Sequence, residues 1–195
     1  GRRPVLTGLP EGTTTGVITG GSSTEGAGQP VAASEKSARA FGDNIIFDVS
    51  QGLTVSAIEY CRKISDRGAF SKLNVTFGFD KTTRSIVVGG SSTPNQQYVC
   101  KKVTVEKNNC FTKVGAVGTE SLQRLSLSTK QGASILAGFD FNDMRAWGSF
   151  GLENGPCMTG LHGASYGGNI IAIGFYFNNE VLPDGRLYKV ATRKV

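Results

Sequence analysis

Histidine is almost absent from this 195-residue sequence: His162 stands alone. Any Ser–His or Cys–His nucleophile would have to share that one imidazole, and no G-x-S-x-G elbow, H-E-x-x-H helix or P-loop accompanies it. His162 therefore reads as a structural residue beside a loop. Carboxylates are sparse too, at 15 Asp plus Glu. Nothing in their spacing selects a glycosidase pair from Asp48, Glu59, Asp140, Asp143 and Glu153, and Asp140 and Asp143 in "GFDFNDMRAWGSFG" read as turn caps. No catalytic residue is assigned, and an enzyme is the least favoured reading. The single tryptophan, Trp147, lies among Phe139, Phe141 and Phe150 and reads as core rather than as a sugar-stacking platform. No run approaches the roughly 20 apolar residues of a membrane helix, so no membrane span is expected. The four cysteines, Cys61, Cys100, Cys110 and Cys157, lack the close pairing of a zinc site. No metal and no cofactor are expected.

What the chain does have is glycine, 27 residues of it, set between short runs of valine, isoleucine, threonine and serine. That composition belongs to an all-β domain. The runs "KLNVTFGF", "RSIVVGG", "YVCKKVTVE", "CFTKVGAV", "LQRLSLST" and "ASILAGF" recur about every ten residues, separated by turn formers, as in sandwiches, barrels and prisms. In "SLQRLSLSTKQG", Leu125, Leu127 and Thr129 alternate with Arg124, Ser126 and Ser128, so the period is two rather than 3.6. Ile45–Val49 followed by Gln51-Gly52 and the alternation from Val55 to Tyr60 predicts a hairpin. Residues 1–16 read as a flexible arm, 17–178 as one domain, and 179–195 as a tail or appended edge strand carrying a turn at Pro183-Asp184-Gly185.

A net charge of +6 favours an anionic partner, but the basic residues form no tract. Lys101, Lys102, Lys107 and Lys113 fall around one predicted hairpin, and Arg186, Lys189, Arg193 and Lys194 on the tail. Without interleaved aromatics, nucleic acid is not the expected partner. An even cysteine count and the Asn74-Val75-Thr76 sequon point to a secreted or extracellular glycoprotein with disulfides. The start at Gly1-Arg2-Arg3, without Met, fits a piece of a larger precursor. Four cysteines allow three connectivities, all left open.

Glycine-loop chemistry remains. "VITGGSSTEG" at 17–26 and "IVVGGSSTPN" at 86–95 share Gly-Gly-Ser-Ser-Thr after an apolar run, and "ASYGGN" places a third Gly-Gly at 167–168. Three such loops would suit three repeated β-units. Glycine lets backbone N–H and C=O groups approach a polyol, whose hydroxyls both donate and accept.

The stretch "GLHGASYGGNIIAIGFYF", residues 160–177, resembles the final repeat of jacalin-related lectins, with Gly163, Ala172, Ile173 and Gly174 at matching places. "FDVSQGLTVSAIEY" resembles the early hairpin of that family, "SIVVGG" its middle glycine turn, and "FTKVGAV" with "LQRLSLSTKQG" the strand pair before the last repeat. The resemblance covers roughly residues 44–177. It implies a β-prism of three four-stranded antiparallel Greek-key sheets with pseudo-threefold symmetry, in which strands from both ends of the domain share a sheet. It also implies a lectin-like module, with a sugar site at one end built from Gly26, Gly28, Gly163, Ser165, Tyr166, Gly167, Gly168 and Asn169, and with glycans or glycoproteins as partners. Where the family has an Asp that accepts from sugar hydroxyls, this sequence has Ile171, and its loop is about one residue longer. An unpaired hydroxyl against isoleucine costs on the order of 1–3 kcal/mol, or tenfold to a hundredfold in affinity. Asn169, two positions earlier, carries an amide that can substitute. The alternatives are a sugar-blind prism serving protein interaction or self-association, and a module that binds acidic polysaccharide through its basic surface.

Overall fold

A computed structural model describes residues 14–19, 24–25, 45–91, 93–139, 144–178, 181–182 and 184–186. Among them run thirteen strands: β1 (Thr14–Thr19), β2 (Thr24–Glu25), β3 (Ile45–Ser50), β4 (Val55–Lys63), β5 (Lys72–Phe77), β6 (Arg84–Gly89), β7 (Tyr98–Thr104), β8 (Phe111–Gly118), β9 (Leu122–Thr129), β10 (Ser134–Gly138), β11 (Arg145–Gly151), β12 (Cys157–Tyr166) and β13 (Asn169–Asn178). Among the described residues the one helical element is a 3-10 turn at Asp80–Thr82. Alternation does what the sequence predicts. In β8 and β9, Val114, Ala116, Leu125 and Leu127 are buried while Lys113, Gly115, Arg124 and Ser126 are half-exposed.

Three antiparallel sheets result, ordered β6-β5-β4-β7, β10-β9-β8-β11 and β2-β1-β13-β12-β3. In each, three neighbours in succession are flanked by a fourth strand that returns beside the first: β4, β5, β6 and then β7, or β8, β9, β10 and then β11. That is the Greek-key order. The last sheet repeats it with β12, β13, β1 and β3, so it is closed from both ends of the chain, with two-residue β2 added at its edge. Two predicted hairpins are corrected by this arrangement. β3 pairs with β12 and not with β4. β7 and β8 likewise belong to different sheets, because each fourth strand hands the chain on to the next Greek key.

The repeat goes deeper than strand order. The first strand of each Greek key carries a register shift near its start: Ser56 between Val55 and Ala57, Thr112 between Phe111 and Lys113, and Thr159 between Met158 and Gly160. Each is a buried hydroxyl following a fully buried apolar residue. Ser56 Oγ donates to the Thr76 carbonyl at 3.2 Å and Thr112 Oγ1 to the Ser128 carbonyl at 3.5 Å. A bulge frees a carbonyl from the ladder, and a short hydroxyl can satisfy it without leaving the interior.

The inner faces meet in one core that includes Ile58, Leu73 and Phe77 of one sheet, Val114, Leu125 and Leu127 of the second, and Leu161, Ile173 and Phe175 of the third. Trp147 belongs to it as expected, 2% exposed, with its indole N–H donating to the Thr119 carbonyl at 3.2 Å. Two disulfides settle the open connectivity. Cys61–Cys100 joins directly opposed residues of β4 and β7, and Cys110–Cys157 ties the second sheet to the third. The sequon residue Asn74 stands in the middle of β5, opposite Glu59 and Val87.

The tail forms the turn foreseen at Asp184-Gly185. The Gly185 N–H donates to the Leu182 carbonyl at 2.9 Å, and the Thr54 N–H to the Gly185 carbonyl at 2.8 Å. Asp184 is held below its ordinary value, first by the Arg186 backbone N–H it accepts and then by the Arg186 side chain at 2.6 Å. A lowered carboxylate pKa means that this contact stabilises above the ordinary Asp range and is lost as pH falls through the lowered value. The extra strand expected over 187–190, and the arm as far as residue 13, lie outside the described residues; Thr14–Gly16 already stand in β1.

Candidate functional site

The stretch read as a loop from Gly160 to Asn169 is instead the end of a ten-residue strand and a two-residue turn. β12 runs to Tyr166, which pairs with Asn169, and only Gly167 and Gly168 lie between. Their φ angles of +60° and +75° make the doubly left-handed hairpin turn that two glycines adopt without strain. Gly163 and Ser165 are therefore buried strand residues. A Cβ on Gly163 would stand 2.1 Å from the Ala172 carbonyl oxygen and 2.9 Å from the Phe47 ring, so glycine there reflects close packing. Gly167, in contrast, has nothing within 4 Å of its would-be Cβ. Gly26 and Gly28 lie outside the described residues.

Ile171, in the place of the expected acceptor, stands at an irregularity of the strand. Ala164 pairs with Ala172 but Ser165 with Ile170, so Ile171 is an extra residue bulged out of β13. The bulge shifts the phase of the strand: Ile173, Phe175 and Phe177 point to the core at odd positions, and Ile170 joins them from an even one. Asn169 and Ile171 are left half-buried on the other face. The Asn169 Oδ1 is buried and has no hydrogen-bond partner.

Around the turn the second glycine loop closes in. Ser91, just past Gly89-Gly90, puts its Cβ 3.1 Å from where a Gly168 Cβ would stand. Ser71 clasps the two: its carbonyl accepts the Gly90 N–H at 2.8 Å and its hydroxyl donates to the Gly168 carbonyl. Lys63 Nζ donates to the Gly167 carbonyl at 3.1 Å, and the Ser91 N–H to the Tyr98 hydroxyl at 2.9 Å, with Lys72 Nζ 4.1 Å from the centre of the Tyr98 ring. β1 ends at Thr19, opposite Ala172, and Gly20-Gly21 lie outside the described residues. The rim therefore offers glycine backbone, amide, hydroxyl and aromatic groups beside two ammonium groups.

Solved structures resemble this architecture over most of its length. Calsepa lectin in complex with a bisected glycan matches 87% of this chain and 99% of its own at 15% identity, TM-score 0.58. Frutapin, a lectin from Artocarpus incisa, matches 90% and 99% at 15% identity, TM-score 0.56, and Lamprey immune protein 87% and 45% at 13% identity, TM-score 0.57. The chain has the β-prism fold of jacalin-related lectins. No family sequence model and no curated protein matches it.

On this prism the expected basic hairpin is dispersed. Exposed Lys101 and Lys102 line the edge strand β7, where charge discourages strand addition. Lys107 pairs with Asp80 at 3.0 Å, and Lys113 lies in another sheet. Glu59 sits mid-strand between Asn74 and Lys102, and Glu153 in the turn before β12; Asp140 and Asp143 lie outside the described residues. Lys63, Ser71 and Ser91 carry no signal of their own in the sequence, though the repeated Gly-Gly-Ser-Ser-Thr marks where Ser91 would be.

Proposed function

We propose that this protein is a non-catalytic carbohydrate-binding module, holding a glycan at the prism end where the Gly167-Gly168 turn meets the Gly89-Ser91 loop. One observation carries the reading: two glycine loops 77 residues apart in sequence, counting from Gly90 to Gly167, are clasped together beside an amide whose Oδ1 has no partner. Such a group can accept from a sugar hydroxyl once a ligand draws it outward. The contacting groups would be Tyr166, Gly167, Gly168 and Asn169, with Gly163 and Ser165 supporting them from inside. Lectins with the same fold, including one solved with a glycan bound, support the assignment by analogy. Two disulfides agree with an extracellular setting. Catalysis is disfavoured because His162 is buried and stacked on Tyr176 at 4.9 Å.

Replacing Asn169 with alanine is expected to weaken binding to an immobilised glycan about tenfold to a hundredfold, the cost of one unpaired hydroxyl. Unchanged binding would remove Asn169 from the site. Ile171, in the place of the expected acceptor, favours one second reading, a prism that has exchanged sugar binding for protein association. Sedimentation of the isolated chain against concentration distinguishes that reading if the contact is with a second copy.

A further inference from the structure

The opposite end of the prism holds a cavity of about 380 Å³, a size suited to a small ligand. It lies where the three Greek keys begin: Thr54, Cys110 and Cys157, the residues immediately before each first-strand bulge position pair, all line it. Two of the three repeats are joined there by the Cys110–Cys157 disulfide. The third presents Thr54, only 1% exposed, whose hydroxyl has no hydrogen-bond partner.

The walls fit a particular chemistry. Phe79 and Leu182 supply apolar surface, and the tail turn at Gly185 closes one side through its bond to Thr54. At the rim, Asn108 and Asn154 sit at left-handed turn positions, φ +70° and +57°, with exposed side chains. Lys130 is the charged residue among the described lining, and it forms no ion pair with a described residue. The nearby carboxylates of Asp80 and Asp184 are engaged by Lys107 and Arg186. Amides that donate and accept, one free ammonium and a small apolar wall match a compact polyol bearing one negative charge.

We infer that this polar cavity is a second binding site, distinct from the glycine-loop end, for a sugar acid of monosaccharide size. The carboxylate pairs with Lys130, hydroxyls bond to Asn108 and Asn154, and Thr54 lies in the wall they pack against.

The test is a titration of the full chain, followed by amide NMR, with sodium glucuronate and separately with glucose. Glucuronate should shift the amides of Thr54, Asn108, Lys130 and Asn154 saturably, and glucose should bind at least about tenfold more weakly for want of the charge-assisted bond. Lys130→Met should weaken glucuronate by a similar factor. Asn154→Gly should also weaken it while keeping the left-handed turn, since glycine adopts that φ freely. Both positions are exposed, so a well-dispersed spectrum is expected from each variant and separates lost binding from lost fold. The inference is overturned if glucuronate leaves these amides unmoved, if glucose binds equally well, or if Lys130→Met binds glucuronate as tightly as the parent. Shifts confined to Gly167–Asn169 would also overturn it, and would assign the sugar acid to the glycine-loop end instead.

Discussion

Gly163→Ala is expected to destabilise the protein by about 3 kcal/mol or more, enough to unfold a marginal domain. The new methyl would collide with the Ala172 carbonyl oxygen, 2.1 Å from its ideal position, inside the β12–β13 pair that forms the centre of the five-stranded sheet. Backbone on both strands is pinned by neighbours: β12 pairs β3 and β13 pairs β1. Neither can retreat cheaply. The informative control is Gly167→Ala, where the φ of +60° disfavours alanine but the space is open. That change should cost only about 1–2 kcal/mol, the strain of one left-handed residue. Urea unfolding of both variants measures the contrast. If Gly163→Ala unfolds at the parent midpoint while Gly167→Ala does not, residue 163 lies in a loop and the strand assignment is wrong.

Removing the Cys110–Cys157 bridge by replacing both cysteines with serine is expected to cost about 4 kcal/mol on a chain-entropy estimate. Its sequence separation is 47 residues, and it holds the second sheet to the third. Cys61–Cys100 spans 39 residues but joins strands already paired in one sheet, and its estimate is close to the same. Losing both would take about 8 kcal/mol from a domain whose whole stability is on the order of 5–15 kcal/mol. Thermal unfolding with and without reductant, with thiols counted by mass, gives the numbers. Peptide mapping without reduction should recover the two pairs named here; Cys61 linked to Cys110 or Cys157 would contradict the packing of the sheets.

Much of this fold was legible in the sequence, and the reasons are local. Period-two alternation in "LQRLSLST" and turn formers every ten residues identify strands without reference to anything distant. What alternation cannot show is pairing. β3 and β4 look like a hairpin across Gln51-Gly52, yet the chain crosses there from one sheet to another, and Leu53 bridges to Arg186 in the tail. The bulges at Ser56, Thr112 and Thr159 were equally hidden, since a single phase slip reads as noise in a short run. Set side by side, "TVS", "CFT" and "CMT" show the repeat, but only once the sheets reveal that these positions correspond.

The candidate site divides in the same way. Gly-Gly marked the place of the turn, although most of the loop expected over 160–169 is strand, and Ile171 as a departure was visible from its place before Ala172-Ile173-Gly174; the bulge that the structure puts at Ile171 was not. The clasp by Ser71 and the ammonium groups of Lys63 and Lys72 were not, because contacts at this distance along the chain follow from topology alone. The three glycine loops, read as equivalent, divide into two kinds. Those at 20–21 and 89–90 each follow the third strand of a Greek key, whereas Gly167-Gly168 joins the first strand to the second. Their likeness in sequence therefore reports a repeat for the first two and a hairpin for the last.

The central claim is that glycans bind at the glycine-loop end without relying on net charge. A glycan array read in low and in high salt tests it most directly. The account predicts retention of neutral glycans that is unchanged by salt, because hydrogen bonds to glycine backbone and Asn169 are not screened as exposed ion pairs are. A blank array would contradict it in favour of a protein-association module. Binding restricted to acidic glycans and abolished by salt would contradict it in favour of a basic surface.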